Sequence, residues 1–202
     1  MSRLADYAIR SLLGVLSLGV LFMASQVVLP VEEVVVAGNQ HLSAEEVLET
    51  TGLEAGTPWL WAAPRNLQTL LANPWVKNAR LEKPAPGQLR IKLYERKQIA
   101  TLRSADGDLG LAFDGMLLPG APRLPPLIEG TGKPPVKDLV QLVKLFPGAT
   151  TIRFSSAGFR IEGPSLKVWG ANVKELQRWA KEHKIDTSAA VHVYPWGESE
   201  SR

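Results

Sequence analysis

From residue 11 to residue 31 the chain carries no charge, and the apolar part of that stretch runs from Ser11 to Leu29 with six Leu, four Val and one Phe. No face of it is polar, so it does not read as a helix lying half-buried on a soluble core. As a helix rising 1.5 Å per residue it is long enough to cross a hydrocarbon layer of about 30 Å. Arg3 and Arg10 precede it, and Glu32 and Glu33 follow it. That bias puts the N-terminus in the cytoplasm and the remaining chain across the membrane. A cleaved signal peptide fits less well, because cutting after Ala24 or Ser25 would leave Phe22 or Met23 where a small residue is needed. Gly14 and Gly19 are five apart, so the span lacks the spacing of a Gly-x-x-x-Gly helix pair.

Beyond the span the pattern changes period. Val31–Ala37 is β-branched and ends at Gly38-Asn39, which predicts a strand and a turn. Ser43 and Glu46 form a capping box and Leu42 and Val47 a hydrophobic staple, so a helix starts there; Gly52, with Leu53 placed to touch Leu48, stops it. Pro64 opens a second helical stretch with Leu67, Leu70 and Leu71 on one face, closed by Asn73-Pro74. Two strands follow: Trp75–Lys83, with Trp75, Ala79 and Leu81 on one face, and Leu89–Glu95, where Leu89, Ile91 and Leu93 alternate with Arg90 and Lys92. The order is β-α-α-β-β, and Glu95 with Arg96 is expected to close the last strand with a salt bridge. Trp59, Trp61 and Trp75 are expected to be core or rim aromatics.

The next hundred residues alternate again. Short strands are expected at Ile99–Leu102 and Leu109–Ala112, with Asp114-Gly115 as a hairpin turn into Met116–Leu118. A Pro-rich loop through Pro119, Pro122, Pro125 and Pro126 leads to Leu127–Gly130. An amphipathic helix presents Val136, Leu139, Val140, Val143 and Phe146 on one side. Strands at Thr150–Phe154 and Phe159–Glu162 flank a turn over residues 155–158, and Leu166–Gly170 follows. Asn172 and Glu175 cap a helix carrying Val173, Leu176, Trp179 and Ala180, and Val191–Tyr194 is a last strand before a polar tail. The whole is an α+β chain: cytoplasmic residues 1–10, a transmembrane helix over 11–29, a first domain over 31–96, a β-sheet-rich second domain over 97–194 and a tail over 195–202.

Composition narrows the chemistry. The net charge of +3 comes from 23 basic and 20 acidic residues scattered among one another, so there is no footprint for nucleic acid. There are no cysteines, which excludes disulfides, thiolate catalysis and cysteine metal sites. His41, His183 and His192 sit in separate elements without ligand spacing. No nucleophile elbow, Walker loop or dinucleotide fingerprint occurs. No catalytic residue, metal or cofactor is expected, and the chain is not read as an enzyme.

The frame Val34-x-Val36-x-Gly38-Asn39, Leu42-Ser43-x-x-Glu46-Val47, Gly52-Leu53-x-x-Gly56, Asn73-Pro74-Trp75-Val76-x-x-Ala79 and Pro86-x-x-Leu89-x-Ile91-x-Leu93-x-Glu95-Arg96 resembles a POTRA domain, and in particular that of the FtsQ/DivIB bacterial cell-division proteins. The second half resembles the β domain of the same family more thinly, through Asp114-Gly115-x-Leu117, Leu124-Pro125-Pro126-Leu127-Ile128-Glu129-Gly130, Val168-x-Gly170 and Val193-Tyr194-Pro195. Only eight residues follow Tyr194, so pairing positions used by some members are expected to be missing or shifted.

The resemblance implies a bitopic, non-enzymatic scaffold of the divisome in the inner membrane at the septum. Its partners would be FtsL- and FtsB/DivIC-like coiled-coil proteins and the septal peptidoglycan synthase complex. A free edge at Val191, His192, Val193 and Tyr194 would accept a partner strand, with Tyr194 and Trp196 as aromatic anchors. Lys174, Arg178 and Lys181, on the helix from Val173 to Lys184, would meet partner acids. The alternative function is a membrane-anchored POTRA-type chaperone or adaptor for envelope protein assembly or secretion.

Overall fold

Ser43 starts a helix as its spacing predicts: its Oγ accepts the Glu46 N–H at 3.0 Å, and α2 runs Ala44–Thr51 to Gly52, whose N–H donates to the Leu48 carbonyl. The computed structural model describes residues 2–104, 107–182, 190–194 and 197–201; among these, the side chains of 2–6, 8–9, 25–28, 190, 197–198 and 200–201 fall outside the description. The chain divides into two compact units, Met1–Glu95 and Arg96–Arg202.

The first unit opens with α1, Ser2–Val28. Among the described residues no helix is long and apolar enough to cross a membrane. The run expected over Ser11–Leu29 extends through residues 25–28, whose side chains are not among those described. From Tyr7 to Met23 the described apolar side chains of α1 are exposed.

A three-stranded sheet follows, built from β1 (Glu33–Ala37), β2 (Val76–Glu82) and β3 (Gln88–Glu95) in the order β1-β3-β2. β3 is central, parallel to β1 and antiparallel to β2. Its alternation comes out as written, with Leu89, Ile91 and Leu93 buried under α2 and the short helix α3 (Gln68–Leu71). Each such side chain contributes about 1.5–3 kcal/mol on burial.

Two local expectations fail for physical reasons. Leu71 is exposed while Leu67 and Leu70 are buried, because Pro64–Leu67 is a 3₁₀ turn and its period of three eclipses i with i+3. In β2 a bulge between Val76 and Asn78 shifts the pleat by one residue, so Val76 joins Ala79 on the buried face.

The close of β3 also differs from a simple Glu95–Arg96 bridge. The Glu95 carboxylate accepts three backbone N–H groups, from Gln40 at 3.0 Å, His41 at 2.7 Å and Leu42 at 3.1 Å. It thereby ties the β1–α2 turn to the end of β3, and His41 stacks on the buried Trp75 at 3.6 Å. Arg96, in the second unit, holds Asp114 at 2.8 Å. Burial would raise that carboxyl, but Arg96 and the Met116 N–H outweigh it and keep it below its usual value. Because charged acceptors contribute about 1.5–3 kcal/mol per hydrogen bond and these three are partly wet, Glu95→Gln should destabilise the first unit by about 2 kcal/mol. Urea unfolding followed by far-ultraviolet circular dichroism measures this; an unchanged midpoint would mean water replaces the carboxylate.

The second unit is one nine-stranded sheet. Its strands are β4 (Gln98–Ser104), β5 (Gly107–Ala112), β6 (Leu117–Leu118), β7 (Leu127–Gly130), β8 (Thr151–Ser155), β9 (Gly158–Gly163), β10 (Leu166–Gly170), β11 (Ala190–Tyr194) and β12 (Gly197–Ser201). They lie in the order β12-β11-β10-β9-β8-β7-β4-β5-β6. Parallel neighbours need crossovers. α4 (Val136–Leu145) joins β7 to β8, and α5 (Val173–Glu182) lies between β10 and β11 in the chain.

Both helices cover one face and share a core, where Phe146 packs on Trp179 with ring centres 6.4 Å apart. Leu142 is buried with Leu139, Val140 and Phe146, whereas Val143, expected inside, is only partly buried. The opposite face carries a ladder of ion pairs. Arg123 meets Asp108 at 2.6 Å, Arg103 meets Glu129 at 2.6 Å, and Arg153 meets Glu129 at 3.5 Å and Glu162 at 3.3 Å. These pairs are solvated, and each contributes at most about 1 kcal/mol.

Candidate docking surface at the C-terminal sheet edge

The C-terminal end of the second sheet gathers most of the residues singled out from the sequence, in a different arrangement. α5 begins as its cap predicts. The Asn172 Oδ1 accepts the Glu175 N–H at 3.1 Å, and the Asn172 amide donates back to the Glu175 carboxylate at 2.7 Å. Val173, Leu176 and Trp179 then turn into the core over β10 and β11. The close seating needs Gly170, where a Cβ would come within 2.7 Å of the Leu176 Cγ.

Lys174, Arg178 and Lys181 are exposed. Their i, i+4, i+7 spacing makes one basic stripe along the helix. Among the described residues none of the three has an ion-pair partner.

β11 is not a free edge. It pairs in parallel with β10, Val168 opposite Val191, and antiparallel with β12, Val193 opposite Glu198 and Val191 opposite Glu200. Its backbone groups are therefore engaged on both sides. Val191 and Val193 point into the core, 2% and 5% exposed. His192 and Tyr194 are half-buried on the other face, where Trp169 lies 6.1 Å from His192 and 5.7 Å from Tyr194. Trp196 and His183 lie outside the described residues, as does Lys184 at the expected end of α5.

The terminal strand of the sheet is β12, Gly197-Glu-Ser-Glu-Ser201. Sequence reasoning missed it because its residues are poor strand formers; the only signal was the polar alternation of Glu and Ser. Arg160, Glu162, Lys167, Trp169 and His192 line a groove of about 220 Å³ on the face away from α5. Among the described residues no group of three His, Asp or Glu side chains converges as a metal site.

What this geometry offers is recognition by pairing and charge. One sheet edge has an unpaired backbone row among the described residues, and a cationic helix lies one strand inward from it. At the other edge, β6 has two residues and runs into Pro119, which blunts it against strand addition.

Residues 29–96 match the family described as POTRA domain, FtsQ-type. The chain is similar to a protein of Bradyrhizobium diazoefficiens named Cell division protein FtsQ, 32% identical over 136 residues, covering 64% of this chain and 40% of that protein. It is also similar to a protein of the same name from Chloroflexus aggregans, 29% identical over 116 residues, covering 55% of this chain and 43% of that one. The matched stretch thus spans about two fifths of each relative's length.

Proposed function

We propose, for a chain that belongs to the FtsQ/DivIB family by its FtsQ-type POTRA domain and its FtsQ relatives, that it acts as a non-enzymatic, bitopic scaffold of bacterial cell division. In this reading α1 is a single-pass anchor in the inner membrane, with residues 1–10 cytoplasmic and the two units outside. Residues 31–96 are the POTRA domain; residues 97–194 with the strand β12 form the β domain. Its partners are FtsL- and FtsB/DivIC-like coiled-coil proteins, and through them the septal peptidoglycan synthases.

The observation that carries the reading is the asymmetry of the nine-stranded sheet. Its β6 edge is blunted, while the five-residue β12 has no proline and ends the sheet. A partner segment adding to β12 gains main-chain hydrogen bonds along the strand. Acidic side chains on the same partner meet Lys174, Arg178 and Lys181, which guide encounter and register more than they add affinity. His192 and Tyr194 support the edge from within the sheet, Tyr194 through its contact with Trp169. Trp196 remains a proposed aromatic anchor on the strength of its residue type.

Three measurements test this. A fluorescent fusion should concentrate at the septum, and depletion should give filaments; an even envelope signal without filamentation would overturn the division role. In co-purification of the full chain, Ser199→Pro should lower recovery of FtsL- and FtsB-like partners by about tenfold or more, since it removes a donor from β12 whichever way the N–H points. Neutralising the α5 stripe should slow association and make what binding remains less sensitive to salt. Full recovery with the Pro variant would mean that the partner docks elsewhere.

A further inference from the structure

The foot of the first unit carries an aromatic wedge that the docking surface does not use. Pro58 and a 3₁₀ turn, Trp59–Trp61, follow the loop after α2. This turn is pinned to the exit of α1. The Trp59 N–H donates to the Leu29 carbonyl at 3.0 Å, Pro30 bridges Pro58 antiparallel, and the Val31 N–H donates to Thr57 at 2.8 Å. Trp61 meets Phe22 of α1 edge to face, with ring centres 5.5 Å apart.

Leu60 and Trp61 are nonetheless 54% and 40% exposed. Trp59 is held more firmly, its indole N–H donating to the Gln88 carbonyl at 2.9 Å. Lys83 lies over the Trp59 ring at 4.7 Å and donates to the Trp59 and Leu60 carbonyls at 2.7 and 3.3 Å. Partial burial there lowers the Lys83 ammonium below its ordinary value.

We infer that Trp59, Leu60 and Trp61, with Lys83 behind them, form a seat that inserts into the lipid interface beside the anchor and holds the POTRA unit against the bilayer. The inference rests on the anchor reading of α1. Three features select lipid as the occupant. The wedge is continuous with the charge-free apolar stretch of α1 that begins at Ser11. Its composition, two Trp and a Leu backed by a Lys, suits the headgroup boundary, where indoles find both apolar and polar surroundings.

The depth also agrees. Phe22 stands seven residues before Leu29, or about 10 Å along a helix, so Trp61 reaches the level at which interfacial helices bury their apolar faces, about 5–10 Å into the boundary. Headgroup charge is not the driver, because Glu32 lies beside Gly87 at the same foot and Glu33 follows it. The seat should therefore work on uncharged lipid.

The chain has no cysteine, so single spin labels can be placed without background. Full-length protein in phosphatidylcholine vesicles would carry labels at Leu60→Cys, Val20→Cys and Leu71→Cys, with collision rates read against oxygen and against a water-soluble nickel chelate. Leu71 is an exposed apolar residue of the same unit, 44% accessible, and serves as the aqueous reference. The expected result is a lipid signature at Leu60 and Val20, with nickel collisions at Leu60 lower than at Leu71 by about tenfold.

A Leu60 label as aqueous as Leu71, with Val20 in lipid, would overturn the seat and leave the anchor standing. Aqueous labels at both Leu60 and Val20 would remove the anchor reading as well. A Leu60 label shielded from both reagents would mean that protein covers the wedge, and would overturn the assignment to lipid.

Discussion

Gly38→Ala should lower the stability of the POTRA unit by about 3 kcal/mol or more and its Tm by at least about 12 °C. Gly38 sits at φ +84°, where an L side chain is strained, and a Cβ built there collides with the Leu93 carbonyl oxygen. The obstacle is backbone of the central strand, so no rotamer change relieves it. Relief requires β1 to move away from β3, and with it goes the register of Val34 on Leu89 and Val36 on Ile91. The turn carried by Glu95 lies just beyond, so its three N–H contacts would be lost in the same event. A thermal melt of the full chain in detergent, followed by far-ultraviolet circular dichroism, would show the early transition; a Tm within a few degrees of the parent would mean that the turn relaxes without cost.

The second large effect is expected in the second unit. Gly158 closes the β8–β9 turn at φ +137°, and a Cβ there would strike the Gly170 carbonyl oxygen and come within 2.8 Å of the Ala171 Cα. Gly158→Ala should therefore push β10 off β9 at the point where Phe159 faces Gly170, at a cost of about 2–4 kcal/mol. Gly170 is also where α5 comes closest to the sheet, so the displacement passes to α5, β11 and β12. Hydrogen exchange is expected to rise first in β10–β12, while β4 and β7 keep their protection. Partner recovery should fall with it. Uniform protection across the sheet would show that the two close contacts are independent of the docking edge.

Much of this architecture was legible in the residues. The Ser43 and Asn172 caps, the αL stop at Gly52 and the Leu89-Ile91-Leu93 alternation are local devices, read within a few positions, and each formed as its spacing predicts. What failed depended on phase or on a distant partner. Leu71 faces water because a 3₁₀ turn reset the period before it. Val76 turned inward because a bulge did the same to a strand. Glu95 was read as half of a salt bridge, whereas its partners are backbone groups 53 to 55 positions away, which no spacing rule reaches.

The C-terminal edge of the nine-stranded sheet shows the division most plainly. Local sequence determined that Val191–Tyr194 is a strand, because alternation of apolar and polar side chains is a property of neighbours. It also determined that Lys174, Arg178 and Lys181 share one helix face. Only the tertiary structure decided which strand ends the sheet. Gly197-Glu-Ser-Glu-Ser201 has little strand preference of its own, but β11 presents it with a complete row of donors and acceptors. Backbone pairing is blind to side-chain type, so a strand already seated on the sheet can recruit the adjoining segment that composition assigns to a tail.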